Sequence, residues 1–364
     1  MINFFPLKYY YDIFVYFSFI LVVINLFHAF TLKLNDEKNI KFLRSTGVVL
    51  LILIILYLGL RPVSGKEFGD MVTYARYFRN YSEGASVNVT KDIVFHYYMK
   101  TSSHFLGLHG FFLLTVALYV LPMYFLSKRN FNKYWFYSFF MFVISFSFYT
   151  YGTNGIRNGL ATSFFLWGLC YKNKKIIMIL FFILSALFHK TLLLPIGAFS
   201  LTYLYNNPIT YLKSWLISIP LSLFLGSVFI LLFTSLGFGD DRLAGYLTGT
   251  MQTDTRFRWD FLFYSAFPIF AGWYFIVKQK FNDSFYNQVF STYLMCNAFW
   301  VLVIRANFSN RFAYLSWFLM AFIIIYPLLK KQFFKNQQLI IAKVVTAYFM
   351  FTFLMFFLYY ADKN

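Results

Sequence analysis

Apolar residues in this chain run in unbroken blocks, such as IFVYFSFILVVINLF near the start and VVLLILIILYLGL before Arg61. The blocks lack the period-two alternation of barrel strands, and many approach the roughly 20 residues that a membrane-spanning helix needs. The pattern predicts an all-α, polytopic membrane protein with ten to twelve spans. They are expected at residues 12–32, 46–60, 108–127, 134–151, 155–171, 175–189, 191–205, 214–236, 259–277, 285–304, 311–329 and 340–360. Several are short, notably the second and those around Thr153 and His189, which leaves room for re-entrant or broken helices. No repeat, low-complexity tract or linker interrupts the series, so residues 1–364 are expected to form one transmembrane domain. Connections are short except for two, at about 61–107 and 237–258.

Composition agrees: 60% of the residues are hydrophobic, 25% aromatic and only 12% charged, which excludes a water-soluble globular chain. The first apolar block is longer than a signal-peptide core and no small-residue cleavage site follows it, so it is expected to remain as a span. Cys170 and Cys296 fall inside predicted spans without paired spacing, which suggests neither a disulfide nor a metal site.

The net charge of +19 is not that of a nucleic-acid binder, because no basic segment is long enough to fold as a binding domain. Its distribution is more telling. Lys33, Lys38, Lys41, Lys128, Lys133, Lys172, Lys174, Lys175, Lys278, Lys280, Lys330, Lys331 and Lys335 alternate with the spans so as to share one side, which the positive-inside rule makes cytoplasmic. Both termini then lie outside. The opposite connections hold Arg61, Arg76, Arg79, Arg157, Arg242, Arg256, Arg258, Arg305 and Arg311. Topology does not distinguish lysine from arginine, but phosphate recognition does, since a guanidinium is always charged and presents a bidentate fork. The face that should be poor in positive charge carries the cation best suited to phosphate.

Within the first long connection, DMVTYARYFRNY has helical spacing that sets Met71, Tyr74, Tyr77 and Phe78 on one face, expected to lie against the membrane. Asp70 stands at its start behind Gly69, as a held carboxylate or as a helix N-cap. Arg157 opens a span in TYGTNGIRNGLA, where a helix N-terminus beside a guanidinium makes an anion site. His189 and Lys190 interrupt an apolar run in ALFHKTLLL, a costly placement in a membrane and so a functional one by default. Arg305 and Arg311 flank a polar turn that also holds Asn307 and Asn310. The second long connection brings Asp240 and Asp241, adjacent and so expected to point apart, and closes on Arg256, Arg258 and Asp260. The other histidines, His28, His96, His104 and His109, have no metal-ligand spacing.

The stretches GLRPVSGKEFGDMVTYARYF, TNGIRNGLA, LFHKTLLL and NRFAYLSWF, in that order over roughly residues 46–330, resemble the EpsG-like family of bacterial polysaccharide polymerases, a branch of the Wzy-type O-antigen and capsule polymerases. The family pattern at the first stretch is closer to GxDxxxY, whereas here Gly69 directly precedes Asp70.

The resemblance implies a metal-independent, cofactor-free glycosyltransferase in the bacterial plasma membrane, with a polymerase/ligase architecture of the GT-C-like kind and an active site facing the exterior. It would move a growing glycan from undecaprenyl diphosphate onto a lipid-linked repeat unit, with inversion. On that reading Arg157, Arg305, Arg311 and Arg61 hold the diphosphate. His189, ahead of Asp70, is the base, and Tyr74, Lys190 and Arg258 touch sugar. A chain-length regulator with its own spans is an implied partner. An O-antigen ligase and a lipid-linked oligosaccharide flippase are the rival functions, with an acyltransferase behind them. A flippase would need cations at mid-membrane, whereas these gather at span ends.

Overall fold

A computed structural model describes residues 6–235, 256–306 and 309–360. It is 82% helical, and no strand occurs among the described residues. In chain order the helices are α1 (Tyr10–Thr31), α2 (Glu37–Gly59), α3 (Gly65–Phe68), α4 (Met71–Ser82), α5 (Ile93–Phe105), α6 (Leu108–Phe131), α7 (Trp135–Val143), α8 (Phe148–Thr153), α9 (Ile156–Cys170), α10 (Lys175–Phe188), α11 (Leu193–Leu204) and α12 (Pro208–Ser235). They continue with α13 (Trp259–Trp273), α14 (Ser284–Leu302), α15 (Ser309–Trp317), α16 (Met320–Lys330) and α17 (Gln337–Tyr359).

Among the described residues, seven helices are long and apolar enough to cross a membrane, and Lys175–Phe188 and Lys190–Leu204 are shorter apolar helices. A helix underlies every expected span. The span expected at 134–151 is broken into α7 and α8, however, and that expected at 311–329 into α15 and α16, while the second begins nine residues before its expected start, with Glu37, Lys38, Lys41 and Arg44 in its first turns. Large apolar side chains such as Phe30 on α1, Ile176 on α10 and Phe224 on α12 point outward, at 65%, 77% and 85% exposure. That arrangement is stable only where the surroundings are themselves apolar.

The chain divides into two compact units, Met1–Lys190 with Leu328–Asn364, and Thr191–Pro327. In the first, α1 and α2 are tied by a reciprocal exchange. Tyr10 Oη donates to the Tyr57 carbonyl at 3.2 Å, and Tyr57 Oη to the Tyr10 carbonyl at 2.6 Å. Small residues let α9 pack closely in the manner of membrane helices. A Cβ on Gly159 would stand 2.4 Å from the Tyr151 carbonyl oxygen, so no larger residue fits there. Ser163 Oγ donates to the Tyr119 carbonyl of α6 at 2.8 Å, and Ser185 Oγ of α10 to the Ala161 carbonyl at 2.7 Å.

The second unit is organised around Asn297 of α14, which is fully buried. It accepts from Trp215 Nε1 of α12 at 2.7 Å and donates to Ser265 Oγ of α13 at 3.2 Å and Ser316 Oγ of α15 at 2.9 Å. Trp317 Nε1 donates to the same Ser265 hydroxyl at 2.7 Å. A buried amide left unpaired would cost about 1–3 kcal/mol, whereas this one links four helices.

Candidate functional site

The first long connection is structured. Met71, Tyr74, Ala75, Phe78 and Tyr81 of α4 are buried at helical spacing. Their face is covered by protein and not by lipid: the Tyr74 ring meets Phe95 of α5 at 5.6 Å, and the Phe78 ring meets Phe111 of α6 at 5.2 Å. Ahead of α4, Ser64 caps α3 by accepting from the Glu67 N–H at 3.2 Å. Gly69 then turns the chain with a φ of +51°, and a Cβ there would lie 2.5 Å from Asn154 Oδ1, so glycine is required on both grounds. The same Asn154 oxygen accepts from the Asp70 N–H at 2.9 Å. The Asp70 side chain is exposed and makes no cap hydrogen bond, so the capping role is not taken up.

Behind this turn stands Arg61, wholly buried. Its guanidinium donates to the Leu58 carbonyl and, at 2.8 Å, to the Thr153 carbonyl, and it lies over the rings of Phe112 and Phe68 at 5.2 and 5.5 Å. Burial lowers its pKa to about 10, against the opposing influence of Tyr149 and Tyr10, so it stays charged at neutral pH. Thr153 is the residue before Asn154. Arg61 therefore braces the backbone from which Asn154 grips Gly69 and Asp70, and its guanidinium is not presented at a surface as the sequence suggested. α2 ends at Gly59, and two residues on, the Arg61 guanidinium reaches the carbonyl of Thr153, the last residue of α8.

Arg157, in the first turn of α9, keeps about a third of its side chain exposed, at 35%. Its Nε donates to Tyr74 Oη at 3.2 Å and its Nη1 pairs with Asp92 Oδ2 at 2.5 Å. Nη2 has no partner among the described residues, so one edge of a firmly held guanidinium is open. Tyr74 is 4% exposed, which makes it a positioning group for Arg157 and leaves no free ring face for a sugar. Asp92 was not singled out from the sequence. It is the residue before α5 and has a left-handed φ of +53°, and an acid directly ahead of an apolar helical run was the signal available. Nothing local indicates its pairing 65 residues away.

One turn into α5, His96 is 7% exposed and its Nδ1 shares a 2.9 Å hydrogen bond with Tyr81 Oη. Burial first, then the charge of Arg157, lowers its pKa below the ordinary histidine value, while Asp92 acts in the opposite sense.

His189 ends α10 with extended backbone, φ −156° and ψ 116°. The α9–α10 hairpin sets its height. A Cβ on Gly168 would be 3.3 Å from the Met178 carbonyl, and Ser185 reaches Ala161. Continued one further turn, this antiparallel register puts Arg157 level with His189. The preceding Phe188 packs on Phe95 of α5 and Phe164 of α9, at 6.3 and 4.7 Å between ring centres. Lys190, next in sequence, is exposed. The first unit thus gathers Arg157, Tyr74, Asp92, His96 and the Gly69–Asp70 turn around the start of α9, with His189 at the same level.

The remaining candidates belong to the second unit. Arg258 is engaged by Asp260 through both oxygens, at 2.9 and 2.7 Å, and stacks on Phe261 at 3.6 Å. Arg305 is half-buried, with its Cδ against Gly226 of α12 beside the non-helical Leu225, and its Nε has no partner among the described residues. Arg311 is exposed in the first turn of α15. Asp240, Asp241, Arg242 and Asn307 lie outside the described residues.

No curated protein and no solved structure matches this chain. The EpsG family model matches residues 46–364, which takes in the second unit, the first from residue 46 onward, and every candidate site residue above. The chain belongs to the EpsG family and is a multi-pass membrane protein of the polysaccharide-polymerase type.

Proposed function

We propose that this protein extends a surface polysaccharide by transferring a growing glycan from undecaprenyl diphosphate onto a lipid-linked repeat unit at the outer face of the bacterial plasma membrane. The observation that carries the proposal is the open edge of Arg157, a guanidinium oriented by Asp92 and Tyr74 at the level of His189. The diphosphate leaving group gains charge as the glycosidic C–O bond to phosphate breaks. A preorganised guanidinium aimed at that charge stabilises the transition state more than the ground state, without a metal ion. His189 takes the proton of the acceptor hydroxyl as that oxygen bonds to the anomeric carbon, and the displacement inverts the configuration. Asp70 is the second candidate for the proton. Arg61 positions the turn that carries Asp70. Arg305 and Arg311 supply phosphate contacts of their own from the second unit, and Lys190 contacts sugar.

The test is a gel of surface polysaccharide from cells lacking the gene, beside an analysis of their lipid-linked intermediates. Loss of the ladder, with single repeats still reaching their final carrier, is the expected result. Intermediates trapped on the inner face would identify a flippase, and a persisting ladder of altered mass would identify a decorating enzyme.

A further inference from the structure

At the end of α9 opposite Arg157 lies a cavity of about 360 Å³, within the first unit. It is lined by Arg129 and Asn130 at the end of α6, by residues 169–174 where α9 turns into α10, and by Lys330. Four of these residues are cations, Arg129, Lys172, Lys174 and Lys330, and none is acidic.

Positive charge near span ends serves orientation, and for that it need not surround a concavity. Here the frame is built. Arg129 stacks on Tyr171 at 4.3 Å while its Nη1 donates to the Cys170 carbonyl at 2.8 Å, and Lys172 Nζ donates to Asn130 Oδ1 at 3.2 Å. The N-terminus of α10 begins at Lys174 without a side-chain cap, which adds the positive end of a 14-residue helix. Like charges held around one cavity repel one another unless an anion joins them. The outward side of α10 then continues from this point as an apolar track, with Ile176, Leu180 and Ile183 at 77%, 60% and 51% exposure.

We propose that this cavity binds a phosphate group, and that its source is the headgroup of an anionic phospholipid whose acyl chains run along α10. The site does not depend on the reaction at Arg157. Its volume suits a glycerophosphate head, and anionic lipids are the phosphates a membrane supplies at this depth.

Full-length protein in nanodiscs of phosphatidylcholine, with and without phosphatidylglycerol, tests the proposal through the thermal unfolding midpoint. Phosphatidylglycerol is expected to raise the midpoint by several degrees. The double variant Lys174→Gln, Lys330→Gln, which leaves the Arg129 frame intact, is expected to lose most of that gain. A control pair elsewhere on the lysine-rich side, Lys33→Gln with Lys38→Gln, is expected to keep it. Inorganic phosphate added to phosphatidylcholine discs, against chloride at equal ionic strength, separates the sources. A full shift from phosphate alone, with no addition from phosphatidylglycerol, keeps the site and assigns it to a soluble phosphate compound. Equal midpoints in all lipids with no phosphate effect would overturn the proposal, as would equal losses in the two double variants.

Discussion

Arg61 and Arg157 look alike in sequence, each an arginine at the edge of an apolar block with glycines nearby, yet the regions around them are built for different ends. Around Arg61 two backbone carbonyls and two aromatic rings close over a wholly buried guanidinium. Around Arg157 a phenol and a carboxylate hold two nitrogens and leave the third open. Arg61, with Nη1 and Nη2 on backbone carbonyls and its buried Nε without a partner among the described residues, braces the fold, whereas Arg157, gripped from one side and open on the other, is the binding group of the proposed function. Burial and partner type, more than charge, separate the two roles.

The comparison breaks most sharply in the substitution Arg157→Ala. Polymer formation per molecule should fall on the order of 10²-fold or more, as for other lost transition-state contacts, with protein abundance unchanged. Immunoblotting of membranes beside a polysaccharide gel measures both. Arg61→Met should do the reverse. Two carbonyls lose their donor at a cost of about 1–3 kcal/mol each, so abundance and thermal midpoint should drop while the activity of the surviving protein stays within a few-fold. If instead Arg61→Met is abundant and inactive, the brace assignment fails.

Asp92→Asn sharpens the contrast at smaller scale. It keeps the shape but loses the charge that orients Arg157, and a charge-assisted bond contributes about 1.5–3 kcal/mol, so a loss of roughly 10-fold in rate is expected from steady-state polymerisation. Asp92→Ala should be worse than Asp92→Asn.

The smallest effect is a pH dependence. His96 has a folded-state pKa below its unfolded value, so the unfolded chain binds the extra proton first as pH falls. Stability is therefore complete above about pH 6.5, the unfolded value, and declines as pH drops from there toward the folded value. Melting curves across that range should slope in the wild type and flatten in His96→Gln.

Much of the fold was legible because hydropathy alone sets the helix blocks in a membrane, and the buried face of α4 followed from the spacing of Met71, Tyr74 and Phe78. The place of Arg157 in the first turn of α9 was legible from the apolar block that follows it, while its role belongs to the proposed function. Three things were not. Arg61 differs from Arg157 only in long-range partners, which local pattern does not encode. Asp92 reads as an ordinary residue before a helix until α9 is folded beside it. The aromatic face of α4 meets α5 and α6 and not lipid, and since both surroundings are apolar the sequence pattern is the same for each.

The most direct measurement is reconstitution of the purified protein with a single lipid-linked repeat unit as the only sugar source, in the presence of a chelator. The expected result is a ladder of polymer and released undecaprenyl diphosphate from the wild type, and neither from Arg157→Ala folded to the same melting midpoint. No ladder from the wild type, or an equal ladder from Arg157→Ala, would contradict polymerisation at this guanidinium.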